Sequence, residues 1–239
     1  MLHFLRLPAM ARTLREVARG DLVRVTTGVG PQALLRGAAA GRFPFPRSED
    51  SRLIPWYCPR ERAVLTAGTV HLGRTLERRL KSKGWATSAD EAFDEVVGHC
   101  ADRPDTWITG DMRVTYAELH RRGLAHSIEV WSPDGRLIGG TFGVQTGGLF
   151  SAESLFHTED HASKVALVDL ADRVRSGGGV GIDCQYITPH TKALGTQVVD
   201  RATFLQLLGR ARGLPARLPT ERLPAARLLD VARGEPPAR

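Results

Sequence analysis

Asp183, Cys184 and Gln185 are the residues of this 239-residue sequence best suited to chemistry. They end the segment 180–185, whose apolar start predicts a short buried strand. Residues two apart on a strand face the same side of a sheet, so the carboxylate of Asp183 and the carboxamide of Gln185 should lie side by side. Burying both groups without a use is unfavourable, although hydrogen bonding at a sheet end would also explain them. Glu153 interrupts another apolar segment, as a functional group or as an outward-facing position of an alternating strand.

Familiar catalytic motifs are missing: the sequence has no nucleophile elbow and no HExxH, Walker A or GxGxxG pattern. His157 and His161 are four residues apart but have no third ligand nearby in the sequence, so no metal site is expected. Residues 145–150, QTGGLF, match half of the pyrophosphate loop of acyl-CoA acetyltransferases. The match fails at Phe150, which is too large for a phosphate to reach the backbone, and a strand rather than a helix follows. No cofactor is therefore expected.

The composition indicates a soluble globular protein with a basic surface. Hydrophobic residues make up 42% of the chain and charged residues 25%, and its length suffices for a core. The net charge of +7 favours a polyanionic partner, nucleic acid before membrane headgroups, although many basic proteins have none. No apolar run reaches the roughly 18 residues of a membrane span, and the first residues do not resemble a secretory signal. Three widely spaced cysteines, Cys58, Cys100 and Cys184, favour free thiols, with Cys100 in the core, and a cytoplasmic location.

The periodic segments predict an α+β fold. Four segments have helical spacing: 88–100, 111–122, 162–175 and 201–208. Four others are predicted to be strands: 125–132, 136–145, 149–156 and 180–185. Ser88 and Glu91 form a capping box for the first helix, and the first two strands form a hairpin about the turn 133–135, with the strand 125–132 half-buried. This order fits a mostly antiparallel sheet with helices on its faces.

Both ends of the chain are rich in proline. The prolines of GRFPFP, residues 41–46, and IPWYCP, residues 54–59, predict irregular backbone up to about residue 59. The aromatic residues there form either a small second core or a platform for a flat ligand. From residue 209 to residue 239 the chain has five prolines, seven arginines and only three acids, which predicts an extended and partly disordered tail.

Seven strings between residues 34 and 204 carry a resemblance. In order they are GRFPFP, WYCPRERAV, CADRPDTWIT, YAELHRRGLAHSIEVW, GGTFGVQTGGLFSAESLF, HASKVALVDL and GIDCQYITPHTKALG. In these strings the sequence resembles the leucyl/phenylalanyl-tRNA–protein transferase family. The resemblance implies an α+β protein with a small aromatic and proline-rich domain at 1–60. It also implies an acetyltransferase-like (GNAT-like) catalytic domain at 61–210, with a mixed, mostly antiparallel sheet. The Pro/Arg-rich tail at 211–239 is inferred from its composition and is not part of the family's core.

The resemblance implies an enzyme that makes a peptide bond without a ribosome. Leu or Phe moves from its charged tRNA to the α-amine of a protein that begins with Arg or Lys, and the product enters the N-degron degradation pathway. The implied partners are Leu-tRNA or Phe-tRNA and the acceptor protein, with no membrane. A monomer is the expectation, although the sequence leaves the oligomeric state open.

The family's motif residues imply roles for five residues of this sequence. Asp183 should orient Gln185, whose carbonyl accepts a proton from the attacking amine, and positioning should supply most of the rate. Glu153 should hold the aminoacyl end or the acceptor amine. Trp107, and Phe45 where the family usually has Trp, should stack on the terminal adenosine of the tRNA.

Two further sets complete the implied site. The Leu or Phe side chain should enter a pocket lined by Thr141, Phe150, Leu155, Leu167, Leu170 and Ile182. Thr141 stands where the family often has Met or Leu, which leaves the Leu:Phe preference open. The tRNA phosphates should contact a basic helix face made of Arg74, Arg78, Arg79, Lys81 and Lys83. A solvated helix face would give the same pattern.

Two other functions remain possible at this point. An acyl-CoA N-acetyltransferase on the same fold is disfavoured by the failed pyrophosphate loop. A non-catalytic RNA-binding protein on the same scaffold is disfavoured because Asp183, Gln185 and Glu153 are all present.

Overall fold

Two sheets organise the residues that the computed structural model describes, 20–104 and 106–231. The strands are β1 (Leu22–Thr26), β2 (Phe43–Pro44), β3 (Ile54–Tyr57), β4 (Glu61–Leu65), β5 (Ala86–Ala89), β6 (Ala125–Trp131), β7 (Leu137–Thr146), β8 (Leu149–His157), β9 (Gly181–Gln185), β10 (Gln197–Asp200) and β11 (Leu223–Pro224). The helices are α1 (Pro31–Ala39), α2 (Arg74–Ser82), α3 (Phe93–Ala101), α4 (Gly110–Arg121), α5 (Ala162–Ser176), α6 (Pro189–Lys192), α7 (Arg201–Ala211) and α8 (Leu228–Val231). Short 3₁₀ turns lie at Ala67–Thr69 and Ala225–Arg227.

The larger sheet has eight strands in the order β10-β4-β9-β8-β7-β6-β5-β11. All neighbours are antiparallel except β8 and β9, which run parallel with Ser151 opposite Asp183. The smaller sheet is antiparallel, in the order β1-β3-β2. The expected α+β fold with a mixed, mostly antiparallel sheet is therefore confirmed. The parallel pair matters for the site because it sets Asp183 of β9 beside Ser151 of β8, so that Gln185 at the end of β9 comes within hydrogen-bond distance of Glu153 in the middle of β8.

Helices cover both faces of the larger sheet, as two adjacent glycines of β7 illustrate. A Cβ on Gly139 would lie 2.6 Å from the Cβ of Ala162 in α5, and a Cβ on Gly140 would lie 3.2 Å from Val96 in α3. Strand β6 is consequently buried on both sides, and the expectation that it is half-buried is wrong. Its polar residue Glu129 is tolerated because hydroxyls of neighbouring residues donate to its carboxylate.

Most of the predicted elements of the middle of the chain are confirmed. The predicted helices 111–122, 162–175 and 201–208 correspond to α4, α5 and α7, and the hairpin corresponds to β6 and β7. Gly123 ends α4 with φ of +67°, a conformation that glycine adopts without strain. Helix α5 is buried almost all round, Asp169 and Arg173 included. Cys100 lies in the core, as expected.

The capping box at Ser88 is wrong. Ser88 belongs to β5, where its hydroxyl donates to the Glu129 carboxylate at 2.6 Å. Glu91 pairs instead with Arg222, and the helix begins later, at Phe93. The strand pairing with β6 and the buried acceptor outweigh the local capping preference of the sequence.

The irregular backbone expected over IPWYCP is also wrong. Ile54–Tyr57 forms β3, the central strand of the smaller sheet. Pro55 lacks an N–H, but its carbonyl still accepts from the backbone N–H of Phe45 at 2.9 Å. Trp56 is 4% exposed and packs in the same hydrophobic cluster as α1, α3 and α4.

The expectation of a partly disordered tail is wrong for the described part of the segment. Strand β11 pairs with β5, and the side chains of Leu218 and Leu228 are buried. The Arg227 guanidinium bonds to both Asp169 and Asp172 of α5. Residues 232–239 lie outside the described residues. Within 20–104 and 106–231, no helix combines the length and the apolar character needed to cross a membrane.

Candidate active site

Asp183 forms a buried bidentate ion pair with Arg62. Strand β4 runs antiparallel to β9, which places the Arg62 guanidinium against the Asp183 carboxylate at N–O distances of 2.7 and 2.6 Å. The third guanidinium bond is donated to the carbonyl of Gly41 at 3.0 Å. Burial alone would lower the Arg62 pKa, but the charge and hydrogen bonds of Asp183 raise it, so the guanidinium stays charged.

Two aromatic rings lie against the guanidinium of Arg62. The Arg62 guanidinium carbon lies 4.8 Å from the ring centroid of Phe43 and 4.4 Å from that of Phe204. Such contacts favour a desolvated cation. Arg62 was not identified from the sequence. The signal available there was a basic residue at the start of the apolar run RAVL, shortly after the proline-rich segment 54–59.

Gln185 ends β9 in a left-handed conformation, with φ of +61°. This conformation is unfavourable for a residue with a side chain, and a backbone bond helps to hold it: the Gln185 N–H donates to Asp183 Oδ1 at 2.9 Å. The Asp183 carboxylate thus binds the backbone of Gln185. The carboxamide side chain, which Asp183 was expected to orient, is instead bound by Glu153. The Gln185 Nε2 group donates to Glu153 Oε2 at 3.1 Å.

The amide oxygen of Gln185 is left as the available acceptor of this cluster. Among the described residues no donor reaches Gln185 Oε1, while Nε2 is bound to Glu153. An ionised Glu153 carboxylate can only accept, so in that protonation state the amide is oriented with its nitrogen toward Glu153. The arrangement can therefore accept a hydrogen bond from an incoming N–H group at a defined point.

Glu153 is a carboxyl group poised between its two protonation states near neutral pH. Burial raises its pKa to about 7, and the nearby Asp183 charge acts in the same direction. Tyr116 lies close to this carboxyl, and its own pKa is raised by burial and by the Glu153 charge. The Tyr116 hydroxyl nevertheless has no hydrogen-bond partner with good geometry among the described residues. Sequence reasoning missed Tyr116.

The thiol between the two polar residues is not a nucleophile. Burial raises the pKa of Cys184 to about 12, and the Asp183 charge adds to this effect. The thiol therefore stays protonated at neutral pH and lacks the thiolate that covalent catalysis requires.

Phe45 and Trp107, expected at the terminal adenosine, are brought together although they are 62 positions apart. Their ring centroids are 5.3 Å apart with planes inclined by 25°, an offset stack. Trp107 is buried and Phe45 is partly exposed, so the outer member of the stack is Phe45.

Five of the six residues expected around the aminoacyl side chain belong to or pack against the hydrophobic cluster around α5: Phe150, Leu155, Leu167, Leu170 and Ile182. The sixth, Thr141 of β7, is buried directly opposite Leu155 of β8, and its hydroxyl donates to the carbonyl of Ser154 at 2.8 Å. Thr141 is thus turned into a backbone contact next to Glu153.

The expected basic helix exists as α2, whose Leu76 and Leu80 face the core. Three of the five cations on this helix are exposed: Arg74, Arg78 and Lys81. Arg79 and Lys83 are partly buried, and Lys83 lies 3.7 Å from Glu159.

The sequence was compared with known proteins. The family model described as leucyl/phenylalanyl-tRNA protein transferase matches residues 64–209. Relatives named leucyl/phenylalanyl-tRNA–protein transferase include that of Rhizorhabdus wittichii, 44% identical over 79% of this chain and 77% of its own length. The Ruegeria sp. relative is 39% identical over 82% of this chain and 93% of its own length.

Among solved structures, that of L-PGS from Bacillus licheniformis matches with a TM-score of 0.39 and 10% identity, over 84% of this chain and 78% of that chain, a likeness too slight to carry an argument. The family model spans well over half of the chain, and the relatives are similar over most of it. The chain belongs to the leucyl/phenylalanyl-tRNA–protein transferase family and is an aminoacyltransferase.

Proposed function

We propose that the Asp183–Gln185–Glu153 cluster transfers Leu or Phe from charged tRNA to the N-terminal α-amine of proteins that begin with Arg or Lys. The observation that carries this proposal is the Gln185 carboxamide, fixed by Glu153 at 3.1 Å with its oxygen open to an incoming amine. The product feeds the N-degron degradation pathway, and the enzyme acts in the cytoplasm. The GNAT-like character of residues 61–210, the small domain at 1–60 and the separate segment 211–239 belong to the same proposal.

The reaction needs positioning more than strong acid–base catalysis. The neutral α-amine attacks the carbonyl carbon of the aminoacyl ester, a C–N bond forms, and the C–O bond to the tRNA ribose breaks. The amine gives up one proton, and the ribose oxygen takes one. Gln185 Oε1 accepts a hydrogen bond from the attacking nitrogen and aligns it, because a carboxamide is too weakly basic to remove the proton outright. Glu153, with a pKa of about 7, is suited to relay that proton.

Asp183 and Arg62 act as positioning residues in this proposal. Their bidentate pair fixes the end of β9, and the bond from the Gln185 N–H to Asp183 holds the strained turn. The adenosine stacks on Phe45 and Trp107, the aminoacyl side chain enters the cluster around α5, and α2 contacts tRNA phosphates.

The test is a transfer assay with purified protein, Leu-tRNA or Phe-tRNA carrying a labelled amino acid, and model proteins that differ only in their first residue. Label should enter the acceptor that begins with Arg and not the one that begins with Asp. Equal labelling of both would contradict the acceptor rule. Retained tRNA binding without any product would favour the RNA-binding function, and calorimetric binding of acetyl-CoA would favour the acetyltransferase.

A further inference from the structure

An exposed arginine contacts β8 at the residue that follows Glu153. Arg103 comes shortly after the end of α3, and its Nη2 donates to Ser154 Oγ at 2.8 Å. A guanidinium carries five N–H donors and a full positive charge. Because the Ser154 hydroxyl is neutral, this contact holds the side chain of Arg103 in place without neutralising its charge.

Strand β8 contains a β-bulge at Glu153. Phe142 of β7 lies opposite Ser154, whereas the next residue, Gly143, lies opposite Ala152, so Glu153 is an extra residue of β8 without a partner in β7. A bulge redirects the side chains of the strand that contains it. Two consecutive residues can then share one face of the sheet, which regular alternation would prevent.

The packing around β8 places Glu153 and Ser154 on the same face. Their neighbours on either side pack against the hydrophobic cluster around α5: Ala152 and Leu155. Glu153 instead lies close to Tyr116 of α4, and Ser154 binds the arginine that follows α3. The bulge therefore puts the Arg103 guanidinium and the Glu153 carboxyl on the face of the sheet that α3 and α4 cover.

The aromatic stack proposed for the adenosine lies on this face as well. Trp107 belongs to the hydrophobic cluster that contains α3 and α4, and Phe45 packs against that cluster. The backbone N–H of Thr106 donates to the carbonyl of Arg103 at 3.1 Å, a contact that brings the Cα atoms of these two residues within about 7 Å of each other. Arg103 and Trp107 thus belong to the same connection between α3 and α4.

We propose that Arg103 binds the phosphate on the 5′ side of the terminal adenosine of the donor tRNA. The inference rests on the proposed aminoacyl transfer. An aminoacyl-adenosine presents its base, its ester and its 5′-phosphate from different carbons of one ribose. With the base on Phe45 and Trp107 and the ester at Glu153 and Gln185, the third group needs a cation on the same face of the sheet.

The guanidinium of Arg103 has the chemistry for this role. Two of its N–H groups can bind two phosphate oxygens in parallel, which adds direction to the attraction of charge. The acceptor protein is an unsuitable partner, because its first side chain is itself cationic and like charges repel.

The test compares two minimal donors that differ by one phosphate, phenylalanyl-adenosine and its 5′-monophosphate, with an acceptor peptide that begins with Arg. The full chain should show a KM about tenfold lower for the phosphorylated donor. In Arg103→Gln this ratio should fall to about twofold or less, while the KM for phenylalanyl-adenosine stays unchanged. Arg103→Lys should keep an intermediate ratio, because it retains the charge but loses the paired donors. The matched control is Arg121→Gln, an exposed cation at the end of α4, which should keep the wild-type ratio.

A purely structural role of Arg103 gives a different result. If its side chain only fastens the connection between α3 and α4 to β8, Arg103→Gln should raise the KM of both donors alike and keep their ratio. That outcome would overturn the proposal, and so would a wild-type ratio near one.

Binding measured without transfer separates this inference from the proposed function. In calorimetry, AMP should bind the full chain about tenfold more tightly than adenosine, and Arg103→Gln should remove the difference. Inorganic phosphate should compete with AMP only at much higher concentration, because it lacks the base; competition at equal concentration would indicate a general anion site and would overturn the proposal. If neither donor supports transfer but Arg103→Gln still removes the preference for AMP, the phosphate contact stands and the proposed function fails.

Discussion

Two buried ion networks serve different ends in this molecule. In the first, Arg62 binds Asp183, and Asp183 accepts from the backbone N–H of the strained Gln185. The side chain of Gln185 in turn contacts Glu153, whose pKa is raised. In the second, Asp169 of α5 accepts from Thr87 at 2.6 Å, from Arg173 at 2.6 Å and from Arg227. Both networks pair buried arginine with aspartate, yet, among the described residues, only the first includes a residue in a left-handed conformation and an amide oxygen that no donor reaches.

The second network closes on itself. Arg173 directs its remaining bonds to backbone carbonyls of Thr87, Pro219 and Glu221, which ties the 213–231 segment to β5 and α5. Among the described residues of this network, the Nε of Arg227 is the one buried side-chain nitrogen without a partner. The comparison indicates that a network whose groups are satisfied internally stabilises the fold, whereas one that keeps a strained residue and an open acceptor is arranged for a ligand.

The largest expected effect is the loss of stability in Asp169→Ala. Removing Asp169 leaves the buried Arg173 without a carboxylate and Arg227 with Asp172 alone, so the free energy of unfolding should fall by about 3–5 kcal/mol. Urea denaturation measures this change. The control is Asp134→Ala, which removes the exposed pair with Arg136 and should change stability by less than about 1 kcal/mol. Equal effects of the two substitutions would contradict a structural role for the second network.

The second prediction concerns the pH dependence of stability. The folded-state pKa of Glu153 lies at about 7, above its ordinary value of 4.5, so the folded state binds the proton more tightly. This contribution to stability is complete below about pH 4.5 and is lost as the pH rises through 7, in total about 3.5 kcal/mol at about 1.4 kcal/mol per pKa unit. Between pH 5 and pH 8, the free energy of unfolding of the wild-type protein should therefore fall more than that of Glu153→Gln.

Denaturation curves at both pH values check this prediction. The control variant is Glu118→Gln, an exposed partner of Arg122, which should retain the wild-type pH dependence. If Glu153→Gln shows the same loss between pH 5 and pH 8 as the wild type, the carboxyl is not titrating in this window.

The smallest expected effect concerns the aromatic stack. Phe45→Ala should raise the KM for the charged tRNA about fivefold, because base stacking contributes roughly 1–3 kcal/mol per base, and Trp107 retains part of it. Phe45→Trp should lower that KM below the wild-type value because a larger ring offers more contact area. An unchanged KM in both variants would exclude Phe45 from donor binding.

The sequence predicted the elements with strong periodicity and missed those set by tertiary contacts. Helix α5 and the β6–β7 hairpin could be predicted because their apolar spacing and turn residues agree with the fold. Ser88 was misassigned because its acceptor, Glu129, lies 41 residues away. The composition of residues 213–231 is typical of disorder. The segment is nevertheless ordered, because the Arg227 guanidinium binds carboxylates of α5.

The site shows the same division. Asp183, Gln185 and Glu153 stood out as polar residues in apolar strands, and the parallel pairing of β8 and β9 brings them together. Arg62 could not be identified, because its partner is 121 residues away. Asp183→Ala leaves the buried Arg62 charge without its carboxylate, so lost activity in this variant would not separate chemistry from folding.

Gln185→Ala offers the most direct test of the account, because it removes the open acceptor and leaves the Arg62–Asp183 pair in place. The measurement is single-turnover transfer of Phe from Phe-tRNA to an acceptor that begins with Arg, together with the Kd for the charged tRNA. The account predicts a rate about 100-fold lower with a Kd within about twofold of the wild-type value. A wild-type rate, or a fall in rate that weaker tRNA binding fully explains, would contradict it.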